Sequence, residues 1–118
     1  MTELAKETCS SCEIGAPLVP HDQQMELLND LDGWIIDTLD ISKLKKEFKL
    51  NNYEQCIRFT NLIADLAESQ DHHPKITLEW GSVSIEWWSH KIKGLHMNDF
   101  ICAAKTDNIY VSKFLSPI

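Results

Sequence analysis

The chain contains no apolar run long enough for a signal peptide or for the roughly 20 residues of a membrane span, so it is expected to stay in the cytoplasm. It also lacks an excess of positive charge. A net charge of −7 argues against a nucleic-acid backbone or an anionic membrane as the main partner and favours a small molecule or a protein. Cysteine is too sparse for a disulfide framework: Cys56 and Cys102 fall within apolar helical patterns, where a reduced thiol behaves as a small hydrophobe. Cys9 and Cys12 have the half-site spacing of a zinc ribbon, but no second pair completes it. Gly15 and Pro17 disfavour the strand-to-helix setting of a redox motif there. With 118 residues there is no room for a cofactor domain beside a substrate domain, so any site is built on a single small core.

Residues 1–20 show no sustained periodicity and read as an irregular N-terminal arm; residues 21–118 read as one domain. Met25, Leu28 and Leu31 share one face of a short helix stopped by Asp32-Gly33. Two strands follow, Trp34–Leu39 and Leu44–Leu50. Asn51 and Asn52 offer N-cap oxygens to a helix running to about Gln70, with Cys56, Phe59, Ile63, Leu66 and Ala67 as its buried stripe. Pro74 disfavours helix at His73 and ends it. Alternation of Ile76, Leu78 and Trp80, then of Val83, Ile85 and Trp87, predicts a second hairpin turning at 79–82. A last helix, capped by Asn98 or Asp99, runs to about Ser112. The expected fold is α+β, a four-stranded antiparallel sheet with three helices on one face, in the order α-β-β-α-β-β-α. Tryptophans at 80, 87 and 88 lead us to expect exposed sheet surface or an edge covered by a second subunit.

The chemistry is concentrated in one stretch: Glu68, Asp71-His72-His73-Pro74, Trp80, Ser89-His90 and Asp99. Histidine, with an unperturbed pKa of about 6.5, gives and takes protons at neutral pH, and carboxylates beside it set its tautomer. Taken alone, His72-His73 reads as a solvated pair at a helix end; with His90 at a strand end, the histidines lie where separate elements converge on a pocket. Metal ligation is the rival reading. It is disfavoured because adjacent side chains point apart and no His-x-x-x-His face exists. His21 and His96 are taken as surface residues, and Lys91 and Lys93 as a solvated rim or an attractor of an anionic substituent. Trp34 flanks the pocket or, more simply, sits in the core.

Glu68, three residues, His72-His73-Pro74, five residues, Trp80, nine residues, His90, eight residues and Asp99 together resemble the signature of the pterin-4a-carbinolamine dehydratases, with every position filled. The segment from Glu79 to His96 and the Cys9-x-x-Cys12 arm resemble the bacterial branch in particular. The resemblance implies a homo-oligomer, dimer or tetramer, needing no metal and no cofactor. It implies loss of water from 4a-hydroxytetrahydropterin to give quinonoid dihydropterin, in the service of an aromatic amino acid hydroxylase. His72 and His90 would be the acid/base pair and His73 would orient substrate. Glu68 and Asp71 would hold imidazoles, Asp99 would support the loop of His90, and Pro74, Ser89 and Lys91 would complete the supporting set. Two alternatives stand beside this: a non-catalytic pterin-binding or dimerisation (coactivator) module, since relatives pair with a homeodomain transcription factor in animals, and a dehydratase-like role in molybdopterin metabolism.

Overall fold

Period-two apolar patterning builds a sheet whose register can be read pair by pair. A computed structural model of the chain describes residues 3–6 and 18–115; Cys9 and Cys12 lie outside the described residues. The strands are β1 (Ile35–Asp37), β2 (Lys43–Lys49), β3 (Lys75–Glu79) and β4 (Ser82–Trp87). They pair antiparallel in the order β1-β2-β4-β3, so two sequence hairpins are joined through their second strands. Partners across the ladder share a face. Leu44 opposite Trp87 and Phe48 opposite Val83 therefore point inward together, while Lys45, Glu86 and Lys75 align on the outer face.

Of the three helices, α1 (His21–Leu28), α2 (Tyr53–Gln70) and α3 (Met97–Tyr110), α2 and α3 pack on the inner face, and α1 adds the half-buried Leu27 and Leu28 to the core's edge. Asn52 caps α2 by accepting the Gln55 N–H at 2.8 Å, and Cys56, Phe59, Ile63 and Ala67 form its buried stripe. Phe48 is the centre of the core, with its ring 4.8 Å from Tyr110, 5.0 Å from Phe59 and 5.9 Å from Trp34. The core also takes in Leu4 and Val19, and Lys105 Nζ donates to the Ala5 carbonyl at 2.9 Å.

Four expectations are corrected here. Helix α1 stops at Leu28, and Met25 is exposed while Leu31 reaches the core from the turn that follows. Helix α3 begins at Met97, with Asp99 in its first turn: its N-cap is His96, which is buried and not a surface residue. Its last turn, Val111–Leu115, winds wider than an α-helix. The tryptophans do not mark a bare apolar face, because Trp87 is wholly buried under the helices and Trp88 is half-buried with Lys43 Nζ 4.4 Å above its ring. Only Trp80, at the turn, is largely exposed.

Trp34 is a core residue. Its Nε1–H donates to Asp107 at 3.0 Å, and Lys46 Nζ reaches the same carboxylate at 2.9 Å and the Asp32 carbonyl at 2.7 Å. Burial pushes the Asp107 carboxyl above its ordinary 3.8, outweighing the downward pull of Lys46 and Trp34. A carboxyl with a raised folded pKa binds more protons when folded, so its charged form lowers stability above that pKa and the penalty vanishes below 3.8. Urea melts are therefore expected to show the parent gaining stability relative to Asp107→Asn as the pH falls through this window. A difference that stays flat with pH would contradict the burial effect.

Candidate active site

The end of α2 sets the first histidine. Asp71 adopts the left-handed conformation at φ 50°, which aspartate tolerates better than most residues. The His72 N–H then returns to the Ala67 carbonyl at 3.1 Å and the Asp71 N–H to the Glu68 carbonyl at 3.3 Å, a Schellman closure, and Pro74 two residues on prevents any further turn. The chain enters β3 with His72 turned inward and His73 outward. The His72 ring lies parallel to the buried Trp87 indole, 5.6 Å between centroids and 10° apart in plane.

The last histidine is set by a loop after β4. Ser89 and Gly94 bridge each other, Ser89 N–H to Gly94 O at 2.9 Å, and His90 stands exposed at the start of the enclosed loop. A Cβ at Gly94 would lie 2.7 Å from the tip of the exposed Leu18 side chain, which would have to swing aside to admit it. His90 Nε2 meets the His73 carbonyl at 3.2 Å. A carbonyl oxygen only accepts, so Nε2 carries the proton and Nδ1 is the unprotonated nitrogen of the neutral ring. Trp88 supports this imidazole from 4.4 Å.

Asp99 ties the two histidine segments together. Wholly buried in the first turn of α3, it accepts from His72 Nε2 at 2.6 Å through Oδ1, and from the Ser89 hydroxyl and the His96 N–H, both at 2.8 Å, through Oδ2. The carboxylate bonded to His72 Nε2 is Asp99; Asp71 is exposed at the helix end. Glu68 does meet an imidazole, that of His73 at 2.6 Å, and both are on the surface. Pro74 is half-buried, Ser89 is buried beside Asp99, and Lys91 is exposed on the His90 loop. Among the described residues no group of three or more histidine, cysteine, aspartate or glutamate side chains is placed to hold a metal ion. Sequence reasoning missed His96 and the stacking partners Trp87 and Trp88. The His96-x-x-Asp99 spacing of a capping box was the available signal for the first of these.

The profile of the pterin 4 alpha carbinolamine dehydratase family matches residues 17–109, a span that contains every one of these side chains. The chain belongs to that family. A relative from Saccharophagus degradans, provisionally named pterin-4-alpha-carbinolamine dehydratase, is 48% identical over 111 residues, covering 93% of this chain and 98% of its own. One from Vibrio cholerae, provisionally named in the same way, is 51% identical over 100 residues, covering 84% and 92%. Among solved structures, one from Brucella melitensis described as transcriptional coactivator/pterin dehydratase matches with a TM-score of 0.74 at 25% identity, over 79% of this chain and 98% of that one. A pterin dehydratase-like protein described as a RuBisCO assembly factor in the alpha-carboxysome shares the fold at a TM-score of 0.57 and 24% identity, over 65% and 88%. Among the described residues of this pterin dehydratase family member, no helix is long and apolar enough to cross a membrane.

Proposed function

We propose that the protein is a 4a-hydroxytetrahydropterin dehydratase, a hydro-lyase that returns the pterin of an aromatic amino acid hydroxylase as quinonoid dihydropterin, working as a cytoplasmic homo-oligomer. The observation that carries the reading is the Asp99 carboxylate, which fixes His72 directly and the His90 segment through Ser89. Loss of the 4a-hydroxyl needs a proton on the leaving oxygen and removal of a proton from the neighbouring ring nitrogen, so that water departs as the new double bond forms. His90, with its Nε2–H held by the His73 carbonyl, offers Nδ1 as the base for the ring N–H. His72 is the acid for the departing hydroxyl: with its Nε2–H on Asp99, it acts as the doubly protonated ring and gives up the Nδ1 proton, its face set by Trp87. His73, paired with Glu68 at the surface, orients the pterin. Pro74, Ser89 and Lys91 support these positions.

Stopped-flow decay of 4a-hydroxytetrahydropterin, generated in place by a phenylalanine hydroxylase, tests the reading. The parent is expected to accelerate the decay, and His72→Ala and His90→Ala each to lose about 10²–10⁴ in rate while remaining folded. A folded parent without effect on the decay would sink the catalytic reading. The description of the Brucella melitensis structure as a coactivator as well as a dehydratase then makes a protein-interaction module the better account.

A further inference from the structure

Helix α3 opens on an unusual cap. Serine, threonine, aspartate and asparagine are the common N-caps because a short side-chain oxygen reaches the orphan N–H groups of the first turn. Here the position is filled by His96, with extended backbone and only 7% exposure, whose Nδ1 accepts the Asn98 N–H at 3.0 Å. Accepting through Nδ1 requires that nitrogen to be unprotonated. The reciprocal half of the box is the His96 N–H donating to Asp99 Oδ2, on the carboxylate that holds His72 through Oδ1.

We propose that His96 is a positioning residue for the His72–Asp99 pair. Its ring closes the first turn of α3 and its main chain fixes one oxygen of Asp99, so the other oxygen meets His72 Nε2 at 2.6 Å. An imidazole at the cap does what a hydroxyl usually does, and it fills buried space beside the carboxylate. Asp99 lies in the first turn of α3, so loosening that turn moves both its oxygens together. The proposal deepens the dehydratase reading and rests on it for its kinetic consequence, but not for its structural one.

The test uses three variants of the full chain. His96→Thr keeps a capping oxygen; His96→Ala removes the acceptor; His96→Gly also removes it at little cost to the helix as a whole, so the protein stays folded while the Asn98 N–H in the first turn has no side-chain acceptor. Nitrogen-resolved NMR of the imidazoles, recorded without substrate, reads whether His72 keeps its hydrogen-bonded Nε2–H. The signal is expected in the parent and in His96→Thr and is expected to be lost in His96→Ala and His96→Gly, with kcat down by about tenfold and KM unchanged in the last two. A folded His96→Gly that retains the parent's His72 signal and kcat overturns the proposal. Loss of the His72 signal in a protein whose parent has no dehydratase activity would overturn the functional reading and leave the positioning role standing.

Discussion

Asp99→Asn is expected to remove most of the turnover, by about 10²–10⁴-fold, in a protein that still folds. The carboxylate accepts from the His72 ring, the Ser89 hydroxyl and the His96 N–H, and it is wholly buried. An amide of the same shape has one accepting oxygen and one donating nitrogen. If the oxygen stays on His72, the NH₂ confronts the His96 N–H, donor against donor. If the amide flips, its NH₂ faces His72 Nε2, which then has to accept, so the ring can no longer be anchored through Nε2–H while carrying a second proton to give away. Leaving one buried donor without an acceptor costs about 1–3 kcal/mol. Stopped-flow rates measured beside urea melts on the same preparation check both effects. Full turnover in the variant would show that Asp99 holds the fold alone.

The second large effect is expected at Trp87. Its side chain is wholly buried, its Nε1–H donates to the Thr106 hydroxyl at 3.1 Å, and its indole is the wall against which His72 stacks. Trp87→Ala removes the largest fully buried side chain in the protein's described residues and is expected to lower stability by about 3–5 kcal/mol. Against the roughly 5–15 kcal/mol that holds a small domain together, that is a large fraction. The melting temperature should fall by roughly 10 °C or more. Trp87→Phe keeps a ring against His72 and gives up the bond to Thr106, so it should fall between the two. A melt of Trp87→Ala within a few degrees of the parent would show that the neighbouring side chains close over the gap.

Local chemistry explains how much could be read in advance. Pro74 announced the end of α2 and so put His72 and His73 at a junction; the alternation from Ile76 to Trp87 announced β3 and β4. Both are effects within a few residues along the chain. The partner of His72 was not legible, because Asp99 stands 27 residues away and is brought there by the register of β4 and the start of α3. The resemblance paired Asp71, with Glu68, to the imidazoles; in the structure Asp71 closes α2 in a left-handed turn and is exposed. His96 was hidden for a different reason. Capping preferences favour short oxygen-bearing side chains, so Asn98 and Asp99 outranked a histidine that turned out to do the capping. Trp87 was misread because consecutive residues of an extended chain face opposite ways, so Trp87, the last residue of β4, lies in the core and Trp88 just after it on the outer side.

The bonds that hold the histidines end largely on main-chain atoms: the Ala67 carbonyl for the His72 amide, the His73 carbonyl for the His90 ring, the His96 amide for Asp99, and the Ser89–Gly94 bridge for the loop. Such anchors are indifferent to which side chains occupy the intervening positions and sensitive to how many residues separate them. Constraint on this protein therefore falls on spacing as much as on composition. A single residue inserted or deleted between Trp87 and His90 would turn His90 away from His73, whereas a change of side chain between anchors matters mainly where the backbone is left-handed, as at Lys93.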